Sequence, residues 1–189
     1  MAPRSLTKLV PVSLLTLALA LAAAGCGGSS QSAQEKWAND VCTQIGNWQK
    51  QMKQLVTGAK NAVQSPSSST ISTLQSDATQ AANATKQLET NLKNVGPAPG
   101  SNGQTAQQTL TSFASAMSKT IDALKSTVNS LSSSTSISQA ASKLSSSAGQ
   151  LSSLASQTQT ALNSVKQTSS DLKSGFQNAS ACKSLTSGS

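Results

Sequence analysis

From residue 35 onward, apolar residues recur at alternating intervals of three and four, and Ser, Thr, Gln, Asn or Lys fill most positions between them. Four such runs can be separated: Trp37 to Val63, Ile71 to Val95, Ala106 to Leu131, and Ile137 to Ala179. A mean spacing of about 3.5 residues is typical of helices that pack along a left-handed, coiled-coil-like seam, whereas strands alternate with a period of two. The pattern therefore predicts an all-α fold with helices at about 33–64, 69–95, 104–132 and 136–180.

The ends of these helices are marked by capping and breaking residues. Three starts have a Ser or Thr followed three residues later by Glu or Gln, a capping-box pattern: Ser32 with Glu35, Thr105 with Gln108, and Ser136 with Gln139. The segment "GPAPGSNG" (96–103) separates the second and third helices, because Pro and Gly at this density cannot continue a helix. The fourth run continues through Ala155 and Ser169, so both are predicted on the seam. Short connections favour antiparallel neighbours, and we expect an up-down-up-down four-helix bundle.

The first 25 residues follow another pattern. Arg4 and Lys8 precede the apolar stretch "LVPVSLLTLALALAAAG" (9–25), which Pro11, Ser13 and Thr16 interrupt. A membrane-spanning helix needs about 20 predominantly apolar residues, whereas a short apolar stretch after a basic start is typical of an export signal. Residues 1–25 are therefore predicted to be a signal peptide.

The residues that end this signal predict how the chain is anchored. Ala23-Ala24-Gly25-Cys26 resembles the lipobox of bacterial lipoproteins, although Ala23 occupies the position where Leu is preferred. The resemblance implies cleavage before Cys26, a diacylglycerol group on its thiol, and a location on the extracytoplasmic face of the cell membrane. The alternative is cleavage after an A-x-A site at 22–24, which would leave Cys26 free or disulfide-bonded. Residues 26–34 are predicted to be a flexible tether, 35–185 the helical domain, and 186–189 a tail.

Two cysteines remain beyond Cys26, an even number in an exported chain. In an up-down-up-down bundle the first helix begins and the fourth helix ends at the same pole, so Cys42 and Cys182 are expected to form a disulfide. The alternative is a pair of free buried thiols. Many seam positions are Ala, Thr or Ser, which makes the core thin, and partial disorder before a partner binds is a further alternative.

The composition argues against several functional classes. The chain has no His, and its six acidic residues include no pair at a spacing of three or four, so we predict neither an enzyme nor a metal site. Two of the 14 basic residues, Arg4 and Lys8, lie in the predicted signal peptide, and the other twelve are lysines scattered along the chain. Nucleic-acid-binding proteins usually cluster their basic residues, and no nucleic-acid partner is predicted. Apart from the lipid on Cys26, no cofactor is expected.

Two tryptophans on the first helix are the candidate contact residues. Trp37 and Trp48 lie on one face and would suit the membrane interface, a glycan or an apolar ligand; alternatively, they supply bulk to a small-residue core. Trp37, "VC" (41–42), Ile45, Trp48, "VGPAP" (95–99) and "ACKSL" (181–185) resemble uncharacterised helical lipid-anchored or secreted proteins of actinobacteria. That resemblance implies a helical envelope protein with paired cysteines and transfers no activity.

These features together predict a non-enzymatic interaction or structural module of the cell envelope. The lipid anchor makes the membrane the first partner, and a cell-envelope protein or a wall polymer is the expected second partner. The alternative function is a binding module that holds an acyl chain or another small apolar ligand between its helices. The sequence predicts no oligomeric state.

Overall fold

The structure is a computed structural model that describes residues 31–65, 67–131 and 137–187. Every regular element in this part of the chain is an α-helix, which confirms the predicted all-α class. The helices are α1 (Ala33–Gln64), α2 (Ser68–Val95), α3 (Gly103–Asn129), α4 (Ile137–Lys166), α5 (Ser170–Asn178) and α6 (Ser180–Ser187). The predicted signal peptide, Cys26, the first part of the tether and Ser136 lie outside the described residues. Because α1 begins at Ala33, the last two residues of the predicted tether are helical.

The starts of the first three helices follow the predicted chemistry in part. The Ser32 hydroxyl accepts the Glu35 backbone N–H at 3.1 Å, as the capping pattern predicts. The prediction that Thr105 and Gln108 form a capping box at the start of the third helix is wrong, because α3 begins at Gly103 with Asn102 as a cap that makes no side-chain hydrogen bond. A Cβ atom on Gly103 would collide with the Ala98 carbonyl, so the folded loop before α3 requires glycine there.

A full capping box forms at the start of α2, where none was predicted. The Ser67 hydroxyl accepts the Thr70 backbone N–H at 3.2 Å, and the Thr70 hydroxyl accepts the Ser67 backbone N–H at 2.9 Å. Threonine occupies the position that Glu or Gln usually holds in this motif, which explains why the pattern was missed.

The prediction of one continuous fourth helix over 136–180 is wrong. The helix ends at Lys166, and the Ser169 hydroxyl accepts the Leu172 backbone N–H at 3.1 Å, so Ser169 caps α5 instead of lying on a seam. A second break falls at Ala179, whose ψ of 121° is extended. The two breaks let Leu172, Phe176 and Cys182 turn into the buried core, where each is at most 7 % exposed.

Hydrogen bonds between helices establish how the first three pair. Residues near the start of α1 contact residues near the end of α2, through the pairs Trp37–Gly96, Gln44–Asn91 and Trp48–Thr85. The pairs Gln75–Leu131 and Gln107–Lys93 relate α2 and α3 in the same way. These two helix pairs are therefore antiparallel. In addition, α3 packs on α4, and α1 packs on α4, α5 and α6.

One buried cluster runs along the inward faces of the described helices and is rich in alanine, as the small-residue seam predicts. Two predicted seam positions are wrong: Val63 is exposed and Ala62 is buried in its place, and Ala155 is exposed beside buried Leu154. At Val63 the reason is the repeat length: a straight α-helix has 3.6 residues per turn, so a stripe drawn at 3.5 drifts by about 20° per heptad. On α4 the buried positions step by three from Leu151 to Leu154 and then by four to Thr158, the reverse of the predicted order.

Candidate functional site

The predicted cysteine pair is bonded in the structure and ties the end of the chain to the first turns of α1. Cys42 and Cys182 form a disulfide with their Cα atoms 5.1 Å apart, and both residues are buried. Close by, the Asn39 side-chain oxygen accepts the Ala181 backbone N–H at 3.1 Å and the Ser180 hydroxyl at 3.2 Å. A covalent bond and a side-chain cap therefore hold α6 on α1, within a few turns of the point where α1 begins.

Trp37 joins this region to the loop after α2. Its indole N–H donates to the Gly96 carbonyl at 3.0 Å, and its ring packs edge-on against Phe176 of α5 with centroids 5.9 Å apart. The Lys166 ammonium lies 5.8 Å from the Phe176 ring centroid, within cation–π range. Trp37 is 6 % exposed and acts as a core residue that joins three parts of the chain.

Trp48 lies about three turns further along α1 and joins α1 to α2 and α3. Its indole N–H donates to the Thr85 hydroxyl at 2.9 Å, and that hydroxyl donates to the Ala81 carbonyl at 2.8 Å. Its ring packs edge-on against Phe113 of α3, with centroids 6.3 Å apart. Trp48 is 3 % exposed, so the geometry favours the core interpretation for both tryptophans. Contact of either tryptophan with a ligand or interface stays a prediction.

A polar groove of about 380 Å³ runs between α1 and α2, and we call it the amide groove. On α1 its walls are Gln44, Asn47 and Gln51. On α2 they are Gln80, Asn83, Gln87 and Asn91. Trp48, Ala84 and Leu88 form its floor, and among the described residues that line it none is charged.

The walls of the amide groove correspond to a second periodic pattern in the sequence, formed by Asn and Gln residues that lie beside the apolar positions. The wall residues recur at intervals of three and four on each helix, directly beside the seam positions, so each helix carries them on one face. At one end the Asn91 side-chain N–H donates to the Gln44 side-chain carbonyl at 2.7 Å, across the groove. The regular amide spacing was the signal that could have revealed the site.

A second groove, of about 430 Å³, lies between α1 and α4, and we call it the apolar groove. Met52, Val56, Leu151 and Leu154 line its interior, and Trp48 reaches one side. Lys53 and Lys60 stand at its rim and are exposed. This combination of apolar walls and cationic rim differs from the uncharged amide groove on the other side of α1.

The charged residues of the described chain were compared with the arrangements that hold metal ions and with ion pairs. No group of three Cys, Asp or Glu side chains within residues 31–65, 67–131 and 137–187 is placed to hold a metal ion. The ion pairs Lys93–Glu89 at 2.8 Å and Lys86–Asp122 at 3.9 Å involve exposed lysines, and pairs of this kind contribute little stability.

Asp77 is the acid whose environment is unusual. Its carboxylate faces Gly58 of α1, where an added Cβ atom would collide with it. Burial raises the pKa of the Asp77 carboxyl above its ordinary value of 3.8. Because the raised pKa has desolvation as its cause and no described acid or metal ligand joins Asp77, the shift indicates helix packing.

No described helix has a stretch both long and apolar enough to cross a bilayer. Comparisons of the chain with protein-family models, with curated proteins and with solved structures find no match.

Proposed function

We propose that this chain is an extracytoplasmic lipoprotein, held on the bacterial cell membrane by a lipid on Cys26, whose helical domain is a non-enzymatic interaction or structural module of the cell envelope. One observation carries the proposal. Because Cys42 and Cys182 are bonded to each other, Cys26 is the cysteine left for lipidation, and it directly follows the small residues Ala24 and Gly25 at the end of an export signal. Two or more acyl chains hold a protein stably at a membrane, so such a lipid needs no spanning helix.

The proposal extends to the arrangement of the four long helices, which we propose run up-down-up-down as one bundle. The antiparallel pairs α1–α2 and α2–α3 support it, together with the packing of α4 on both α3 and α1. The longest helix, α1, has 32 residues and is about 48 Å long at a rise of about 1.5 Å per residue. Small-angle scattering of the full chain in detergent should then show a protein body of about that length. A markedly longer body would contradict the four-helix arrangement.

The partners that we propose are the membrane, through the anchor, and a cell-envelope protein or a wall polymer, through the helical surface. Nucleic acid is not among them, because the lysines are scattered and the amide groove is uncharged. The six acids include no pair at a spacing of three or four along the sequence, and this spacing favours a binding role over catalysis.

Replacement of Cys26 tests the anchor. Cys26→Ala should abolish labelling by an alkyne analogue of palmitate in growing cells and release the chain from sedimented membranes. Ser30→Ala, four residues away in the predicted tether, is the matched control and should retain both the label and the membrane association. Full membrane retention of the unlabelled Cys26→Ala chain would contradict the lipoprotein assignment.

The second candidate function is binding of a fatty acyl chain in the apolar groove. The observation that favours it is the combination of apolar walls with Lys53 and Lys60 at the rim, which would suit an acyl chain and its anionic head group. Val56 is half-buried at this groove, whereas Val63 lies two turns further along α1 and is exposed.

These two valines provide a matched pair of variants. Val56→Glu should weaken binding of a fluorescent palmitate analogue about tenfold or more, because it places a carboxylate against the acyl chain and neutralises Lys60, one turn further along α1, which would otherwise face the anionic head group. Val63→Glu adds the same charge outside the groove and should leave binding unchanged. Equal effects of the two substitutions, or absence of saturable binding to the unmodified chain, would refute this second function.

A further inference from the structure

The amide groove has a chemistry that neither the anchor nor the apolar groove explains. Its walls are seven carboxamide side chains from two helices, and every carboxamide both donates and accepts hydrogen bonds. Lysines occur on the same helices, at Lys50 and Lys86 among others, yet none lines this groove. The ligand that matches such walls is uncharged and carries donors and acceptors in close alternation.

The burial of the groove's floor and the length of its walls restrict the class of ligand further. Trp48 and Leu88 are only 3 % and 2 % exposed, so the groove offers no apolar anchor of the kind that dominates protein–protein interfaces. The amides of α2 that line the groove extend from Gln80 to Asn91, about 16 Å at a rise of about 1.5 Å per residue. A row of amides of this length fits an extended polymer better than a compact small molecule.

The contact between Asn91 and Gln44 is an amide-to-amide hydrogen bond across the groove, and it suggests the ligand group that the walls would match. One carboxamide donates to another at 2.7 Å across the groove, so amides on the two helices are within reach of a shared partner. An acetamido group presents the same N–H and carbonyl as a carboxamide, and the sugar ring that bears it adds uncharged hydroxyls. Ala84 is half-buried on the floor and is the apolar residue there that the C–H face of such a ring can contact.

From these observations we propose that the amide groove binds a neutral glycan chain bearing acetamido groups. The assignment deepens the proposed function by naming the class of wall polymer, and it rests on that function in that the extracytoplasmic location gives the groove access to glycans. The site requires no metal and no covalent step. It lies on the opposite side of Trp48 from the apolar groove.

Titration calorimetry with the full chain in detergent micelles tests the site. The probes are the hexamer of β-1,4-linked N-acetylglucosamine and the matching glucose hexamer, which lacks acetamido groups. We expect saturable binding that is tighter for the N-acetylglucosamine hexamer. The double variant Asn47→Ala/Gln87→Ala removes one amide from each wall and should raise Kd about tenfold, since each lost hydrogen bond costs a several-fold factor.

The matched control is Gln104→Ala/Gln108→Ala, which removes two exposed amides from α3. It should change Kd less than about twofold. Equal losses in the two double variants, equal affinity for the two hexamers, or no binding would each overturn the proposal. Dimerisation of the chain that the groove variant abolishes would also overturn it, because a second copy would then occupy the groove. The Cys26→Ala fractionation is independent, so a failed glycan assay leaves the anchor test intact.

Discussion

The hydrogen bond from the Trp48 indole to Thr85 predicts a measurable difference between two similar threonines. Thr85 and Thr158 are both fully buried, and each hydroxyl donates to a carbonyl one turn earlier in its own helix. The Thr85 hydroxyl also accepts the indole N–H of Trp48 at 2.9 Å. Replacement by valine keeps the shape and branching in both places, so the indole contact is the main difference between the two substitutions.

The expected magnitudes follow from what each valine leaves unpaired. Thr85→Val leaves the buried indole N–H of Trp48 without an acceptor and should lower the free energy of unfolding by about 1–3 kcal/mol. Thr158→Val leaves the Leu154 carbonyl with its backbone helix bond and should change the free energy of unfolding by no more than about 0.5 kcal/mol. The corresponding fall in Tm is about 2–4 °C per kcal/mol for a chain of this size.

Urea unfolding followed by far-ultraviolet circular dichroism measures both variants without relying on tryptophan fluorescence. A double-mutant cycle with Trp48→Phe isolates the pair, because Thr85→Val should cost about 1 kcal/mol less once the indole donor is gone. If Thr85→Val and Thr158→Val destabilise equally, or if the cycle shows no coupling, the indole bond does not hold α1 on α2 as described.

Three further perturbations test the packing around α1. Gly175→Ala should lower the free energy of unfolding by about 1–3 kcal/mol in urea titrations, because its Cβ atom would lie 2.8 Å from the Gln34 backbone. Replacing Cys42 and Cys182 together by alanine frees a 140-residue loop and should lower it by up to about 5 kcal/mol in the same assay. Asp77→Asn should raise Tm at pH 7, with an advantage that shrinks as the pH falls to 3.8, because the raised pKa makes the ionised carboxyl costly in the folded state only.

Each of these has a control in the same chain. Gly149→Ala adds a Cβ atom with nothing within 4 Å and should stabilise α4 by up to about 1 kcal/mol, so equal losses at Gly149 and Gly175 would contradict the close-approach argument. Asp40→Asn removes an exposed carboxylate from α1 and should not reproduce the pH-dependent gain. Dithiothreitol should destabilise the unmodified chain and leave the double alanine variant unaffected; an equal response of both would exclude the disulfide.

The apolar period predicted most of α1, α2 and α3. A helix buries residues spaced by three and four along the chain, whichever element the helix packs against. The apolar period failed where the structure depends on a single cap. Ser169 fits the seam by spacing, yet its hydroxyl caps α5 and ends the continuous helix. Spacing alone cannot distinguish a buried serine from a capping serine, since serine is common in both settings of this chain.

The cysteine pairing was predicted from parity and topology, and the positions of the two tryptophans from the seam. The hydrogen-bond acceptors of the two indoles were not predicted, because Gly96 lies 59 residues from Trp37 and Thr85 lies 37 residues from Trp48 along the chain. Separation along the chain also explains why the amide groove was not predicted, since its two walls lie on different helices. Each half is a regular stripe on one helix, and neither half has a wall opposite it until the antiparallel partner brings its own stripe across.

The sequence by itself therefore determined the helical class and most of the buried face of α1, α2 and α3, because these depend on local period and on residue type, and it predicted the Cys42–Cys182 pair from cysteine parity and the expected topology. Tertiary structure alone decided where the fourth run breaks, which groups satisfy the two indoles, and that one side of α1 presents amides while the other presents an apolar groove with lysines at its rim. The physical reason is that a groove and a buried hydrogen bond each require two surfaces, and the second surface is supplied by folding.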